Sequence, residues 1–112
     1  MNVTTQQGPA TTAAENVVCL SGHLDVRSVG DVRQELNDLI DATSGDVIVD
    51  LGAVDVVDAT GLGLLVAAHR RVERLGRSLV LRHPLPPVVR ILAVTRLSRV
   101  LHVERGFPVP AL

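Results

Sequence analysis

A strand-to-helix stretch, DVIVDLGAVDVVDATGLGLLVAAHRRVERLG at residues 46–76, decides the fold of this chain. Its first part, residues 46–51, is rich in β-branched residues and is predicted to form a buried strand. From Gly61 to about Leu75 the apolar residues predict a helix, which Gly76 ends. A strand that leads directly into a helix is the building unit of α/β domains.

The same alternation continues on both sides of this stretch. An apolar run at residues 16–21 predicts an earlier strand. Ser28 is the predicted N-cap of a first helix, with Asp31 as a capping-box-like acid three residues later. Further on, the sequence predicts a strand at residues 79–81, a helix that begins at the prolines of residues 84–87, and a short strand at residues 100–103. The prediction is therefore an α/β fold with a mixed sheet and helices packed on it.

Length and composition indicate one folded domain. The 112 residues are 46% hydrophobic and 21% charged, which is typical of a globular chain. The polar residues 1–14 are predicted to be a flexible tail, residues 15–104 the domain, and residues 105–112 a second tail. The sequence shows neither a signal peptide nor a membrane-spanning stretch. Its single cysteine excludes an intrachain disulfide. We therefore expect a cytoplasmic protein.

Charge and residue types exclude several functions. The net charge is −1 and Phe107 is the single aromatic residue, so we expect no binding to nucleic acid. All 11 cationic residues are arginine, which excludes chemistry that needs a catalytic lysine. No serine lies in a G-x-S-x-G motif, so an esterase triad has no nucleophile.

Metal and cofactor motifs are also missing from the sequence pattern. The four histidines have no histidine or cysteine partner at helical spacing, so no metal site is predicted. His69 is predicted to be a hydrogen-bonded core histidine, and Cys19 a buried, inert thiol. The glycines at residues 61 and 63 resemble a dinucleotide fingerprint, but Val66 replaces its third glycine, so no cofactor is expected. The sequence therefore predicts that the chain is not an enzyme.

The junction before the second helix is the main candidate for a functional site. Asp58 is suited to cap the helix, and Thr60 places a hydroxyl at the same position. Because a helix N-terminus also attracts anions, the sequence leaves a plain cap and an anion site both open. The helix is apolar on all sides over residues 62–68, so part of it is expected to be exposed as a partner site beside this junction.

Three stretches of the sequence resemble the STAS family, which is typified by bacterial anti-sigma-factor antagonists. Residues 20–25 resemble its L-x-G-x-L-D motif. Residues 47–51 and 56–63 resemble its central strand and its D-S-[ST]-G-L-G phosphorylation loop, and residues 74–81 its next helix–turn–strand. The resemblance covers about residues 15–104 and implies a small mixed sheet with helices mainly on one face.

The resemblance also implies a function. A protein of this type binds an anti-sigma factor, often a serine kinase, and so releases a sigma factor for transcription. The alternatives are an accessory subunit of a lipid ABC-type transport complex and a structural component of a larger signalling assembly. We expect a monomer or weak homodimer that is not inserted in a membrane. The expected partner-binding residues are Asp25, Asp58, Ala59, Thr60, Gly61, Leu62 and Leu64.

One position departs from the family pattern. In the family, the kinase phosphorylates the residue directly after the loop aspartate, which is Ala59 in this chain and has no hydroxyl. Thr60 matches the second Ser/Thr of the motif, so it is the expected acceptor if phosphate enters this loop. A phosphate there would lie beside Asp58 and Asp25, and its charge would oppose binding at an apolar interface.

Overall fold

The fold alternates strands and helices, as the sequence predicts. The structure is a computed structural model that describes residues 2–7 and 16–104. Its elements are strand β1 (Asn2–Gln7), strand β2 (Asn16–Leu24), helix α1 (Val29–Ala42), strand β3 (Val47–Val57), helix α2 (Ala59–Arg74), strand β4 (Leu79–Arg82), helix α3 (Pro86–Val94), a short 3₁₀ helix (Leu97–Arg99) and strand β5 (His102–Glu104).

The five strands form one mixed sheet in the order β1-β2-β3-β4-β5. Strands β2, β3, β4 and β5 all run parallel to one another, whereas β1 runs antiparallel to β2. In a parallel sheet the carboxyl ends of the strands meet at one edge, which is the usual place for a site in α/β folds. The ends of β2 and β3 therefore bring residues 24 and 57 side by side.

The core lies between the helices and one face of the sheet. Along β3 the buried residues Val47, Val49 and Leu51 alternate with Ile48 and Asp50, which lie on the other face. The first three belong to one hydrophobic cluster that also takes side chains from all three helices, among them Leu36, Leu65 and Leu92. This arrangement confirms the prediction of a mixed sheet with helices mainly on one face.

The predicted N-terminal tail is wrong over part of its length. Residues 2–7 form β1, which pairs with β2 from Asn2 opposite Ser21 to Gln7 opposite Asn16. An edge strand is held by backbone hydrogen bonds, so a polar sequence with several β-branched residues is sufficient to form one. Residues 8–14, and the tail predicted at residues 105–112, lie outside the described residues.

Ser28 precedes α1 as predicted, but its side chain does not cap the helix. Its hydroxyl instead accepts a hydrogen bond from the Asp25 N–H at 3.0 Å and donates one to the His23 carbonyl at 2.9 Å. These bonds hold the turn between β2 and α1, and the turn lies directly beside the start of α2. The serine therefore shapes the candidate site rather than the helix terminus.

Two element boundaries also differ from the sequence prediction near the candidate site. Strand β3 continues to Val57, six residues beyond the predicted end, and α2 begins at Ala59 rather than Gly61. None of the helices in the described part of the chain has the length and apolar character needed to cross a membrane.

Candidate functional site

Asp58 joins strand β3 to helix α2 and caps the helix. Its carboxylate Oδ1 accepts a hydrogen bond from the Gly61 N–H at 2.9 Å, as the sequence predicts. Its own N–H donates to the Leu24 carbonyl at 3.2 Å. Because the carboxylate already occupies the helix N-terminus, the structure favours the plain cap over an anion site.

Gly61 allows α2 to approach the end of β2 very closely. A Cβ at this position would lie 2.4 Å from the Leu24 carbonyl oxygen and 2.9 Å from the Leu24 Cγ. No side chain fits at these distances, so the first turn of the helix rests directly on backbone. The glycine is therefore needed for packing, and it holds the α2 terminus against the loop that follows β2.

Asp25 forms the opposite side of the site. Its carboxylate Oδ1 accepts a hydrogen bond from the Arg27 N–H at 3.0 Å, and its carbonyl accepts from Ser28 and Val29. The side chain is thus fixed by its own turn. The contact between Leu24 and Gly61 brings this turn to the start of α2, so Asp25 and Asp58 lie on either side of one backbone contact.

Ala59 and Thr60 form the exposed first turn of α2. The Thr60 hydroxyl makes no hydrogen bond with any residue of the described chain, so it does not take part in capping. A hydroxyl that is exposed and free of an internal partner is accessible to other molecules. Ala59, one residue earlier, has only a methyl group as its side chain.

The predicted exposure within residues 62–68 is found at Gly63 and Ala67, with Val66 half-buried, but not at the leucines. Leu62 and Leu64 are both buried, with Leu62 only 7% exposed. The reason is that α2 packs against α1 as well as against β3 and β4, which covers a wide arc of the helix. The outward face carries small residues at i, i+4 and i+8, namely Ala59, Gly63 and Ala67. Leu62 and Leu64 therefore support the site from beneath.

Two exposed valines supply apolar surface that the sequence analysis missed. Val26 is 69% exposed and follows Asp25 in the turn after β2. Val56 is 44% exposed and lies next to His23 in the pairing of β3 with β2. Both lie at the same sheet edge as the α2 terminus. A valine after an aspartate in a turn gives no periodic signal, so exposure here is evident only from the structure.

An acidic residue precedes each of these valines in the chain, Asp25 before Val26 and Asp55 before Val56. Asp55 is exposed and its Oδ1 lies 3.5 Å from His23 Nε2, also exposed, on the neighbouring strand. Together with Asp25 and Asp58, it gives this sheet edge three carboxylates close to the start of α2. We call the surface formed by Asp25, Val26, Asp55, Val56, Asp58, Ala59 and Thr60 the α2 edge.

The sequence that folds into this arrangement matches a known family model. The family model described as "Mlab, STAS domain" matches residues 8–103, which is most of the chain. The chain belongs to the STAS domain family. The loop between β3 and α2 in this STAS domain is the stretch whose sequence resembles the family's phosphorylation loop.

Relatives of known name are bacterial regulators. An anti-sigma-B factor antagonist of Staphylococcus aureus is 28% identical over 89 residues, covering 80% of this chain and 82% of the relative. The structure of an anti-sigma factor antagonist from Mycobacterium paratuberculosis superposes with a TM-score of 0.77 at 21% identity, covering 95% of this chain and 88% of the other. Unphosphorylated SpoIIAA, an anti-sigma factor antagonist from Bacillus, gives a TM-score of 0.71 at 21% identity, covering 92% and 90%.

Cys19 lies far from the α2 edge and has an unreactive environment in this STAS domain. Its side chain is partly buried on β2, opposite Asp50 of β3. Burial raises the pKa of the Cys19 thiol, the Asp50 carboxylate raises it further, and Arg82 opposes the rise. The thiol is therefore protonated at neutral pH, and a protonated thiol is a poor nucleophile.

This thiol provides a test of the described packing. At pH 7, iodoacetamide is expected to alkylate Cys19 several-fold more slowly in the native STAS domain than in the urea-unfolded chain. Intact mass spectrometry over time measures both rates. Equal rates in the two states would show that the thiol is neither shielded nor raised in pKa.

Proposed function

We propose that this STAS domain is an anti-sigma-factor antagonist that binds an anti-sigma factor of the serine-kinase type and so releases a sigma factor. The observation that carries this proposal is the α2 edge, where exposed Ala59 and Thr60 lie beside Val26 and the acidic turn at Asp25. The name of the Staphylococcus aureus relative supports it. Under this proposal the protein acts in the cytoplasm as a monomer or weak homodimer, without catalysis or nucleic acid.

The shape of the α2 edge suits a protein partner. Small residues at i, i+4 and i+8 of α2 allow another backbone or side chain to come close to the helix. Val26 and Val56 supply exposed apolar surface, and the nearby carboxylates favour a partner with complementary positive charge. Exposed apolar side chains together with charged ones are features of specific protein interfaces.

The same geometry explains how phosphate would act as an off signal. A phosphate at the first turn of α2 adds about −1.5 to −2 charge at neutral pH. Asp58 already caps this helix end, and Asp25 lies across the backbone contact. The added charge would therefore meet carboxylates and an apolar contact, and both would weaken binding.

Because Ala59 has no hydroxyl, the wild type is expected to be a poor kinase substrate. With a cognate anti-sigma kinase and ATP, Phos-tag electrophoresis should show slow and incomplete modification of the wild type and efficient modification of Ala59→Ser. Any phosphate on the wild-type loop is expected on Thr60, since its hydroxyl is exposed. Thr60 points about 100° around the helix from Ala59, which accounts for the low rate.

Three outcomes would contradict this account of the loop. Fast and complete phosphorylation of the wild type would show that an alanine at residue 59 does not block the switch. Modification that persists in Thr60→Ala would place the acceptor elsewhere. Failure to modify Ala59→Ser would show that the loop is not a kinase site.

The partner itself is tested by affinity capture from lysate followed by mass spectrometry. We expect an anti-sigma factor to be enriched with the wild type and lost with Val26→Asp. Enrichment of a permease and an ATPase would instead support the transport alternative. Because Val26 is exposed, its substitution is expected to leave the fold unchanged, and Val94→Asp, at another exposed valine, serves as the matched control.

A further inference from the structure

We propose that His69, Glu73 and His102 form a binding site for one Zn²⁺ ion at the opposite end of α2 from the α2 edge. One ligand atom from each of these residues lies within 4.8 Å of the other two. His69 and Glu73 are one helical turn apart on α2, and His102 is the first residue of β5. This site does not depend on the proposed function.

Helix geometry holds two of the three ligands close together. Residues at i and i+4 lie on one face of a helix, and Nε2 of His69 is 3.1 Å from Oε1 of Glu73. Zn²⁺ binds imidazole nitrogen and carboxylate oxygen at about 2.0–2.2 Å, which places two ligands of a tetrahedral ion about 3.3 Å apart. The observed separation is therefore close to the one that zinc requires.

The third ligand comes from a residue that is free to adjust. The rings of His69 and His102 have centroids 5.5 Å apart at an interplanar angle of 62°. His102 is exposed, so its ring can rotate to bring a nitrogen nearer to the other two ligands. Two imidazoles and a carboxylate, with water in the fourth position, form a ligand set that zinc commonly uses.

His69 is the buried ligand of the three and anchors the cluster in the core. Its side chain is almost fully buried, and its Nδ1 atom has no hydrogen-bond partner among the described residues. A histidine that binds a metal through one ring nitrogen usually donates the other N–H to a carboxylate, a carbonyl or water, so an ion on Nε2 leaves this bond of Nδ1 to water. The prediction of a core histidine is therefore correct in its burial and its bond to Glu73, but it accounts for one ring nitrogen only.

The ion would connect two elements that otherwise share few contacts. Strand β5 has three residues and lies at the edge of the sheet, next to β4. A bond from His102 through the metal to α2 would fix this edge strand to the helix layer. Residues 69 and 73 lie roughly 16–23 Å along α2 from Asp58, so metal binding and partner binding are separable.

Isothermal titration calorimetry of tag-free, chelator-treated protein with zinc chloride tests this proposal. The wild type is expected to bind one ion per chain, and His102→Ala and Glu73→Gln should each weaken binding at least about tenfold. His23→Ala is the matched control, because His23, like His102, is an exposed histidine near a carboxylate, but no third ligand lies beside it among residues 16–104. Its affinity for zinc should equal that of the wild type.

Thermal denaturation gives a second readout. Zinc at about 100 times its dissociation constant should raise the melting temperature of the wild type by at least about 5 °C and leave His102→Ala nearly unchanged. Millimolar Mg²⁺ should have no effect, since it prefers oxygen ligands. The absence of saturable one-to-one binding, or equal binding by His102→Ala, Glu73→Gln and wild type, would overturn the proposal.

Discussion

Gly61→Ala is expected to lower the free energy of unfolding by about 2 kcal/mol or more, although alanine is the better helix former by about 1 kcal/mol. The added Cβ would lie 2.4 Å from the Leu24 carbonyl oxygen, a distance that no carbon tolerates without movement. Because the neighbour is backbone, the helix or the loop after β2 must shift. In a domain of this size the melting temperature should fall by roughly 10 °C.

Gly63→Ala is the matched control for this substitution. It lies two residues further along the same helix, and a Cβ there would meet nothing within 4 Å. The exchange should therefore raise stability by about 0.5–1 kcal/mol through helix propensity alone. Circular dichroism during urea and thermal unfolding compares the two variants. If Gly61→Ala were as stable as Gly63→Ala, the close contact between α2 and Leu24 would be wrong.

Val26→Asp is expected to weaken binding to the anti-sigma factor by about 2 kcal/mol, or about 30-fold in Kd. The aspartate would replace the most exposed apolar side chain of the α2 edge and add a fourth carboxylate to it. A charge placed in a desolvated contact without a partner is costly, and it would also repel the existing acidic side chains. Calorimetry with the captured anti-sigma factor measures the loss.

Val94→Asp is the matched control, since Val94 is 76% exposed and is also a valine. It lies at the carboxyl end of α3, and α3 runs from the end of β4 back toward the start of β5. Val94 therefore lies near the opposite edge of the sheet from Val26. Both variants should keep wild-type stability within about 0.5 kcal/mol. An unchanged Kd for Val26→Asp, or an equal loss for Val94→Asp, would remove this valine from the interface.

The sequence predicted those features of the site that depend on short-range interactions. Asp58 is the cap of α2 because an aspartate before a helix bonds to an N–H three residues later, and both residues lie in one short stretch. The prolines at the start of α3 likewise mark a helix start by themselves. The alternation of strands and helices is also local, and it was sufficient to predict the mixed α/β sheet.

The features that the sequence did not reveal depend on residues distant in the chain. The role of Gly61 is defined by the Leu24 carbonyl, 37 positions earlier, and no pattern in residues 58–63 indicates that contact. The burial of Leu62 and Leu64 depends on α1, because α2 packs against that helix as well as the sheet. Strand β1 was missed because its pairing needs backbone atoms rather than an apolar pattern.

The proposed zinc ligands include one pair that the sequence could reveal and one residue that it could not. Glu73 at i+4 from His69 was available from the sequence, but a search restricted to histidine and cysteine partners passes over a carboxylate. His102 could not be assigned to the same place before the position of β5 beside the helix layer was known. Two ligands on one helix can therefore be recognised from their spacing in the sequence, whereas a ligand on a second element can be recognised only once the fold is known.

The central claim is that this STAS domain releases a sigma factor by binding its anti-sigma factor. A reconstituted transcription assay tests it most directly, with RNA polymerase, a sigma factor, the captured anti-sigma factor and a cognate promoter. Increasing wild-type protein is expected to restore transcript to the level seen without the anti-sigma factor, and Val26→Asp should need about 30-fold more protein. Transcription that stays repressed at a large excess of folded wild-type protein would contradict the claim.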